Sequence, residues 1–361
     1  MSKFLERRKK AQQIMAEKGV HAMQVTGREN YYYLTGDVRN VARLFLPREG
    51  DPVIIVFAEE VEAARRASGI EDVRGWRTPP ELMQHFFGLV REHKLVDKKV
   101  GFCIHTNPGF LVYKFLKANP KMNVVENEEI LMPLRYAKDA DELAAMRRAA
   151  RVAETGMQAA MAAVKPGVTE IEVAAEAEYA MRRAGAMRFN ASTFVDSGPH
   201  SLHLHGGAGN RKIEAGDLVV IDLHPVVDMY SSDLARTVVC GEPTKKQQEL
   251  ICLYTEAQQN VIDNLRPGMK VGKITELFKA VFDRTPEGKR WITGPTHGVG
   301  LEFEEWPHPS HYFAHVNLEI GENWTLSVGH SILPVPQVGG IKLEDTVLIT
   351  ASGAEKLARD L

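Results

Sequence analysis

The chain has 361 residues, enough for two domains of ordinary size, and its 44% hydrophobic and 25% charged residues are the balance of a folded globular protein. A formal net charge of -2 excludes a strong field toward nucleic acid or an anionic membrane, which leaves a small molecule or short peptide as the expected partner. Cys103, Cys240 and Cys252 lack CxxC spacing, which excludes a disulfide framework and points to a reducing, cytoplasmic compartment. The opening MSKFLERRKK lacks the apolar stretch of a signal peptide. Arg147, Arg148, Arg151 and Glu154 exclude the Ala-rich stretch 144–164 as a membrane span.

In chain order, Phe4, Leu5, Ala11, Ile14 and Met15 recur at helical spacing and predict a helix over 2–18. A strand is expected at 21–26, followed by an aromatic stretch at 31–34 and Gly36. Strands follow at 43–46 and 52–57, helices at 61–67 and 80–93, a strand at 99–103, a helix at 108–119 and a strand at 122–126. This alternation predicts a small α/β domain. Residues 129–138 lack a clean period. Asp139 then has the character of an N-cap, with acidic residues in the first helical turn. The expected domains are therefore 1–135 and 136–361.

The second part carries an internal echo. AMAAVKPGVTEI at 160–171 and VIDNLRPGMKVGKI at 261–274 both read as a helix, a basic-Pro-Gly stop and a second helix. Strands at 194–197 and 218–222 follow the first, and strands around Leu326 and at 346–349 follow the second. Two such halves facing each other would place a site between them.

Asp222 ends the apolar run 218–221, where an ionised carboxylate is costly unless paired or bound to a cation. The chain turns through 225–228 and returns to Asp233, and a hairpin of this length can set both carboxylates side by side. Two adjacent carboxylates repel, and a divalent ion relieves the repulsion. The same residues also allow Asp222 to cap a turn and Asp233 to pair with Arg236. His297 lies beside Gly298, where little side-chain bulk permits close approach to a ligand. Glu344 lies in a strand of alternating character. Imidazole with carboxylates is a donor set for Zn, Mn, Fe or Co rather than Ca.

Together, IDLHPVVDMYSSDLART, THGVGLEFEEWP and GGIKLEDTVLIT resemble the pita-bread family of methionine aminopeptidase, aminopeptidase P, prolidase and creatinase. RENYYYLTGD resembles the N-domains of creatinase and prolidase. The resemblance implies an α/β N-terminal creatinase/prolidase-type domain, an α+β pita-bread C-terminal domain and a homodimer. It implies a metal-dependent hydrolase resembling Xaa-Pro peptidases, with one or two divalent ions (Zn, Mn, Co or Fe). Asp222, Asp233, His297 and Glu344 fall on the family's metal ligands. The family's remaining ligand, a glutamate, falls 14 residues before Glu344, where this chain has His330; a register shifted by one puts Gly329 there and leaves no donor. The family's histidine near the substrate carbonyl falls on Glu304, its arginine on Lys342, and another of its histidines on His205.

Glutamate and histidine thus exchange places between 304 and 330. The expectation is that Glu304, or its neighbour Glu305, serves as general base, with His205 as the second catalytic group. His203, His224 and Lys342 are expected to bind substrate. Three carboxylates in place of the family's four predict either a dinuclear centre of unusual ligands or one that drops to a single ion. A creatinase-like or lyase-type enzyme acting on a small non-peptide substrate, or a binding homologue without turnover, is the alternative reading.

Overall fold

The computed structural model describes residues 2–104, 109–292 and 294–359, in two compact units, Met1–Arg135 and Tyr136–Leu361. No helix among the described residues is long and apolar enough to cross a membrane.

In the first unit, α1 (Lys3–Glu17), α2 (Arg28–Thr35), α3 (Val61–Ser68), α4 (Pro79–Glu92), α5 (Gly109–Ala118) and α6 (Glu128–Arg135) accompany a mixed sheet. Its strands are β1 (Ala22–Val25), β2 (Arg43–Pro47), β3 (Val53–Phe57), β4 (Val73–Trp76), β5 (Lys99–Phe102) and β6 (Asn123–Glu126), in the order β4-β3-β2-β1-β5-β6. Phe45, Val53, Ile55, Val100 and Phe102 pack with Leu89 and Val90 of α4 in its core. The expected helix at 108–119 is α5; its first position, Pro108, lies outside the described residues. The aromatic stretch at 31–34 is helical. Arg7 and Arg8 of α1 are buried because they donate to the carbonyls of Tyr33 and Leu34 at the end of α2, which the helix itself leaves open. The segment without a clean period contains α6, whose pattern is broken by Pro133 within it. Strand β4 is a further departure. Four residues including Gly75 carry no alternation, and pairing with β3 holds them extended.

In the second unit, the two halves of the echo adopt the same plan. Helix α7 (Ala140–Ala163) leads through Pro166–Gly167 to α8 (Glu170–Arg183), and α9 (Lys245–Asn264) leads through Pro267–Gly268 to α10 (Lys273–Phe282). Gly167 and Gly268 take left-handed φ values of 89° and 85°, which glycine adopts without strain. Their amides donate to Ile213 and Ile320, each at 2.8 Å. Asp139 and Glu142 close a capping box on α7, as Thr244 and Gln247 do on α9.

The strands that follow are β7 (Arg188–Phe189), β8 (Phe194–Ser197), β9 (Leu218–Leu223), β10 (Pro225–Val227), β11 (Tyr230–Ser231) and β12 (Leu234–Val239). After the second helix pair come β13 (Thr325–Val328), β14 (Leu333–Val335), β15 (Gly339–Ile341), β16 (Glu344–Thr350) and β17 (Gly353–Lys356). The main sheet runs β13-β16-β12-β9-β8 and its pairs are antiparallel, so strands from both halves meet at β12 and β16. Tyr254, Phe278, Phe282 and Trp291 pack against Leu326, Val328 and Val347 and hold the helices of the second half to this sheet.

Candidate metal centre

The sheet register assembles the centre. Asp222 of β9 stands opposite Ala235 of β12, and Ala235 stands opposite Glu344 of β16. The three form one row across adjacent strands, and the small Ala235 leaves space between the two acids. Beyond the ladder, Ser232 donates to the Pro225 carbonyl, which sets Asp233 across from His224. Side chains of a strand alternate, so Asp222 and His224 share the face on which Asp233 and Ala235 lie. The two aspartates are therefore diagonal neighbours. Arg236 points the other way and binds Asp345 at 2.8 Å; it does not pair with Asp233.

Two more donors come from loops tied to β13. The His297 carbonyl accepts from Ser327 at 2.8 Å, and the ring Nδ1 meets the Gly298 carbonyl at 3.0 Å. With Nδ1 protonated toward that carbonyl, Nε2 presents a lone pair to the centre. His330 follows Gly329, whose left-handed φ of 111° and contact with the Leu343 carbonyl leave no room for a Cβ. This backbone turn puts the imidazole of His330, and not position 329, at the cluster.

His297 Nε2, His330 Nδ1 and Glu344 Oε1 form a triangle with sides of 3.2, 3.5 and 3.4 Å, and Asp233 Oδ2 lies 3.5 Å from His297 Nε2. Donors about 2.0–2.1 Å from a tetrahedral ion are spaced roughly 3.3 Å apart, so the group has the spacing of a transition-metal shell. On its far side, His224 Nε2 lies 3.1 Å from Asp222 Oδ1 and 3.5 Å from Asp233 Oδ1. Lys342 Nζ lies 2.5 Å from Asp222 Oδ2 and 2.8 Å from Glu344 Oε2. All these side chains are buried. Among the described residues, Asp222 Oδ1 and both oxygens of Asp233 lack hydrogen-bond partners, a costly arrangement that a bound cation would correct.

The electrostatics divide the acids. Burial opposes ionisation of Asp222, yet Lys342 and His224 hold its carboxyl down at about 2. Burial likewise opposes ionisation of Glu344, but Lys342, His330 and His297 keep it well below the carboxylate range. Asp233 is pushed well above its ordinary value by burial and by repulsion from Glu344 and Asp222. His330 is lowered to about 4, mainly by burial, which keeps its ring neutral and able to bind a cation.

The remaining expected residues lie at various distances. Glu304 sits among imidazoles, its Oε1 3.7 Å from His330 Nε2 and 3.8 Å from His205 Nε2, its Oε2 3.4 Å from His308 Nε2. Burial opposes its ionisation, but His308, His297 and His330 hold it well below the usual range. Its neighbour Glu305 is instead sealed in a buried pair with Lys138 at 3.0 Å. His205 is half-exposed and tilts toward the His330 ring. His203 stands apart, exposed and stacked on His200. Lys342 and His224, expected to bind substrate, are both buried. Both aim at the carboxylates of the centre: His224 by continuing the alternation from Asp222, and Lys342 from the link between β15 and β16.

Sequence reasoning assigned no such part to Ser327, which donates to Glu344 Oε1, or to His308, which holds Glu304. The four-residue interval from Glu304 to His308 was the available signal for the second. None marked Ser327.

The profile of metallopeptidase family M24 matches residues 144–351, and that of the creatinase/prolidase N-terminal domain matches residues 7–137. The chain belongs to the metallopeptidase family M24. It is 31% identical to a Xaa-Pro dipeptidase of Pyrococcus furiosus, over 98% of both chains, and 30% identical to one of Pyrococcus horikoshii, over 98% of this chain and 97% of the relative. The solved prolidase of Pyrococcus horikoshii OT3 superposes with a TM-score of 0.88 at 27% identity, covering 99% of each chain. This M24 chain therefore has the creatinase-type N-terminal domain and the pita-bread C-terminal domain, and the enzyme is a metallopeptidase by family.

Proposed function

We propose that this M24 enzyme is a divalent-metal-dependent Xaa-Pro dipeptidase whose metal centre is formed by Asp222, Asp233, His297, His330 and Glu344. The observation that carries the reading is the 3.2–3.5 Å triangle of His297, His330 and Glu344 beside the unpartnered oxygens of Asp233. The similarity to Pyrococcus Xaa-Pro dipeptidases over nearly the full chain supports the substrate class. The imidazoles favour Zn, Co or Fe over Mn. When bound, a divalent ion lowers the pKa of a water toward neutrality and polarises the substrate carbonyl.

The protein's own groups do the rest. Glu304 is ionised at neutral pH and therefore in the form that accepts a proton, and it lies between His205 and His330 at the mouth of the cluster. Half-exposed His205 steadies the carbonyl oxygen or the departing nitrogen of the dipeptide. His330 would hold the ion through Nδ1, which leaves its Nε2 toward Glu304, 3.7 Å away, as the group that would orient the ring. The working unit is proposed to be a homodimer, which mass measurement in solution tests.

The deciding assay is release of proline from a Gly-Pro dipeptide. Chelated protein should be inactive, and Zn, Co, Mn or Fe should restore turnover; no hydrolysis with any of the four sinks the reading. Glu304→Gln separates two roles. A proton acceptor lost there lowers kcat by about 10²–10⁴-fold at unchanged metal content. If Glu304 only orients His330, the loss appears as roughly 10–100-fold weaker metal binding.

A further inference from the structure

We propose that His224 is a metal ligand, forming with Asp222 and Asp233 a second ion subsite that shares Asp233 with the His297, His330 and Glu344 group. The inference rests on the metal-centre reading above and extends it to a residue that reading leaves out.

The argument begins with Lys342. Its ammonium takes Asp222 Oδ2 and Glu344 Oε2, so each acid retains one oxygen for an ion: Oδ1 of Asp222 and Oε1 of Glu344. Oε1 faces His297 and His330, and Ser327 also donates to it. An ion in the second subsite therefore receives nothing from Glu344 Oε1 and needs another donor beside Asp222 Oδ1 and Asp233 Oδ1. Asp222 Oδ1 and Asp233 Oδ1 both lack a hydrogen-bond partner among the described residues although both side chains are buried.

His224 supplies the missing donor. It follows Asp222 by two residues, so the strand alternation turns both to one face. Its Nε2 lies 3.1 Å from Asp222 Oδ1 and 3.5 Å from Asp233 Oδ1, the same spacing as in the neighbouring triangle. Phe303 and Phe194 pack on the ring at 4.5 and 5.3 Å and fix its direction. Asp233 then bridges, with Oδ1 toward His224 and Oδ2 toward His297. Charge also balances. Two divalent ions and the Lys342 ammonium stand against Asp222, Asp233, Glu344, Glu304 and one hydroxide.

The test counts ions and imidazoles on the full-length protein titrated with Co(II) after chelation. The wild type should bind two Co(II) per chain and show three paramagnetically shifted, exchangeable imidazole N–H signals. His224→Phe, which keeps the packing on Phe303 and Phe194, should bind one Co(II) and show two signals, with its circular dichroism unchanged. Two ions in the variant overturn the proposal. So does a wild type with only two imidazole signals, a measurement that decides the matter even if the variant does not fold. One ion in the wild type, with two imidazole signals, also overturns it and leaves the hydrolase reading standing. A wild type that binds no Co(II) sinks that reading itself.

Discussion

The two ends of the metal centre manage charge by different means. At one end, Asp222 and Glu344 are met by a cation built into the chain, the Lys342 ammonium at 2.5 and 2.8 Å. At the other, the imidazoles of His297, His330 and His308 gather near Glu304, whose carboxyl they hold well below the usual range against the effect of burial. Between the ends stands Asp233, with neither oxygen hydrogen-bonded and its carboxyl raised by burial and by repulsion from both acids. The difference shows which part of the centre is complete in the protein alone and which part awaits an ion. Asp222 and Glu344 are stable as anions without metal, and Asp233 is not.

The largest effect should therefore follow removal of the charge on Asp233. Asp233→Asn should lose metal binding and cut dipeptide hydrolysis by roughly 10³-fold or more, since metal assistance contributes several kcal/mol to the transition state. The chelated variant should nonetheless melt above chelated wild type, because the mutation removes a buried repulsion. Calorimetry on both chelated proteins checks this, and an equal or lower melting temperature would break the contrast between the ends.

Lys342→Met sharpens it from the other side. The variant leaves Asp222 and Glu344 buried without their cation, and breaking a buried pair costs about 3–5 kcal/mol. That loss should be seen in full after chelation and should shrink when Zn is added, as the ion takes over part of the neutralisation. Denaturant titration with and without Zn measures both numbers. A loss of equal size in the two conditions would mean that the ammonium and the ion act on different carboxylates.

Much of this centre was legible in the sequence because strand alternation and register are local rules. The interval from Asp222 to Asp233 called for a hairpin, and β9 and β12 supply it. The Pro-Gly echo was readable because glycine at a left-handed turn leaves a fixed spacing, and both glycines make the same bond to an isoleucine carbonyl. What escaped depended on where the chain returns. Lys342 read as a substrate contact because nothing in GGIKLED says that its ammonium ends between two acids, one of them 120 residues away. The Ser327 bond to Glu344 is likewise set by strand pairing between β13 and β16. In the first unit, α6 and β4 lacked any period, and their neighbours hold them in place.

The smallest effect is a pH dependence in which Asp233 opposes His330 and Asp222. His330 has its folded pKa depressed by burial to about 4, against an ordinary 6.5. Its contribution is present above 6.5 and is lost as pH falls through about 4, at most about 3 kcal/mol for a shift of this size. Asp222, held at about 2, adds a further loss only below its ordinary 3.8. Asp233 is raised above 3.8, so its contribution is present below that value and is lost as pH rises through its folded pKa. Chelated wild type should thus lose stability on acidification from 6.5 toward 4, partly offset by Asp233 as its carboxyl takes up a proton. His330→Gln should flatten the loss between 6.5 and 4, and Asp233→Asn should steepen the net acid loss by removing that offset. Melting temperatures of the three chelated proteins across this range test the signs, and a His330→Gln curve parallel to wild type would show that the imidazole is not buried at the centre in solution.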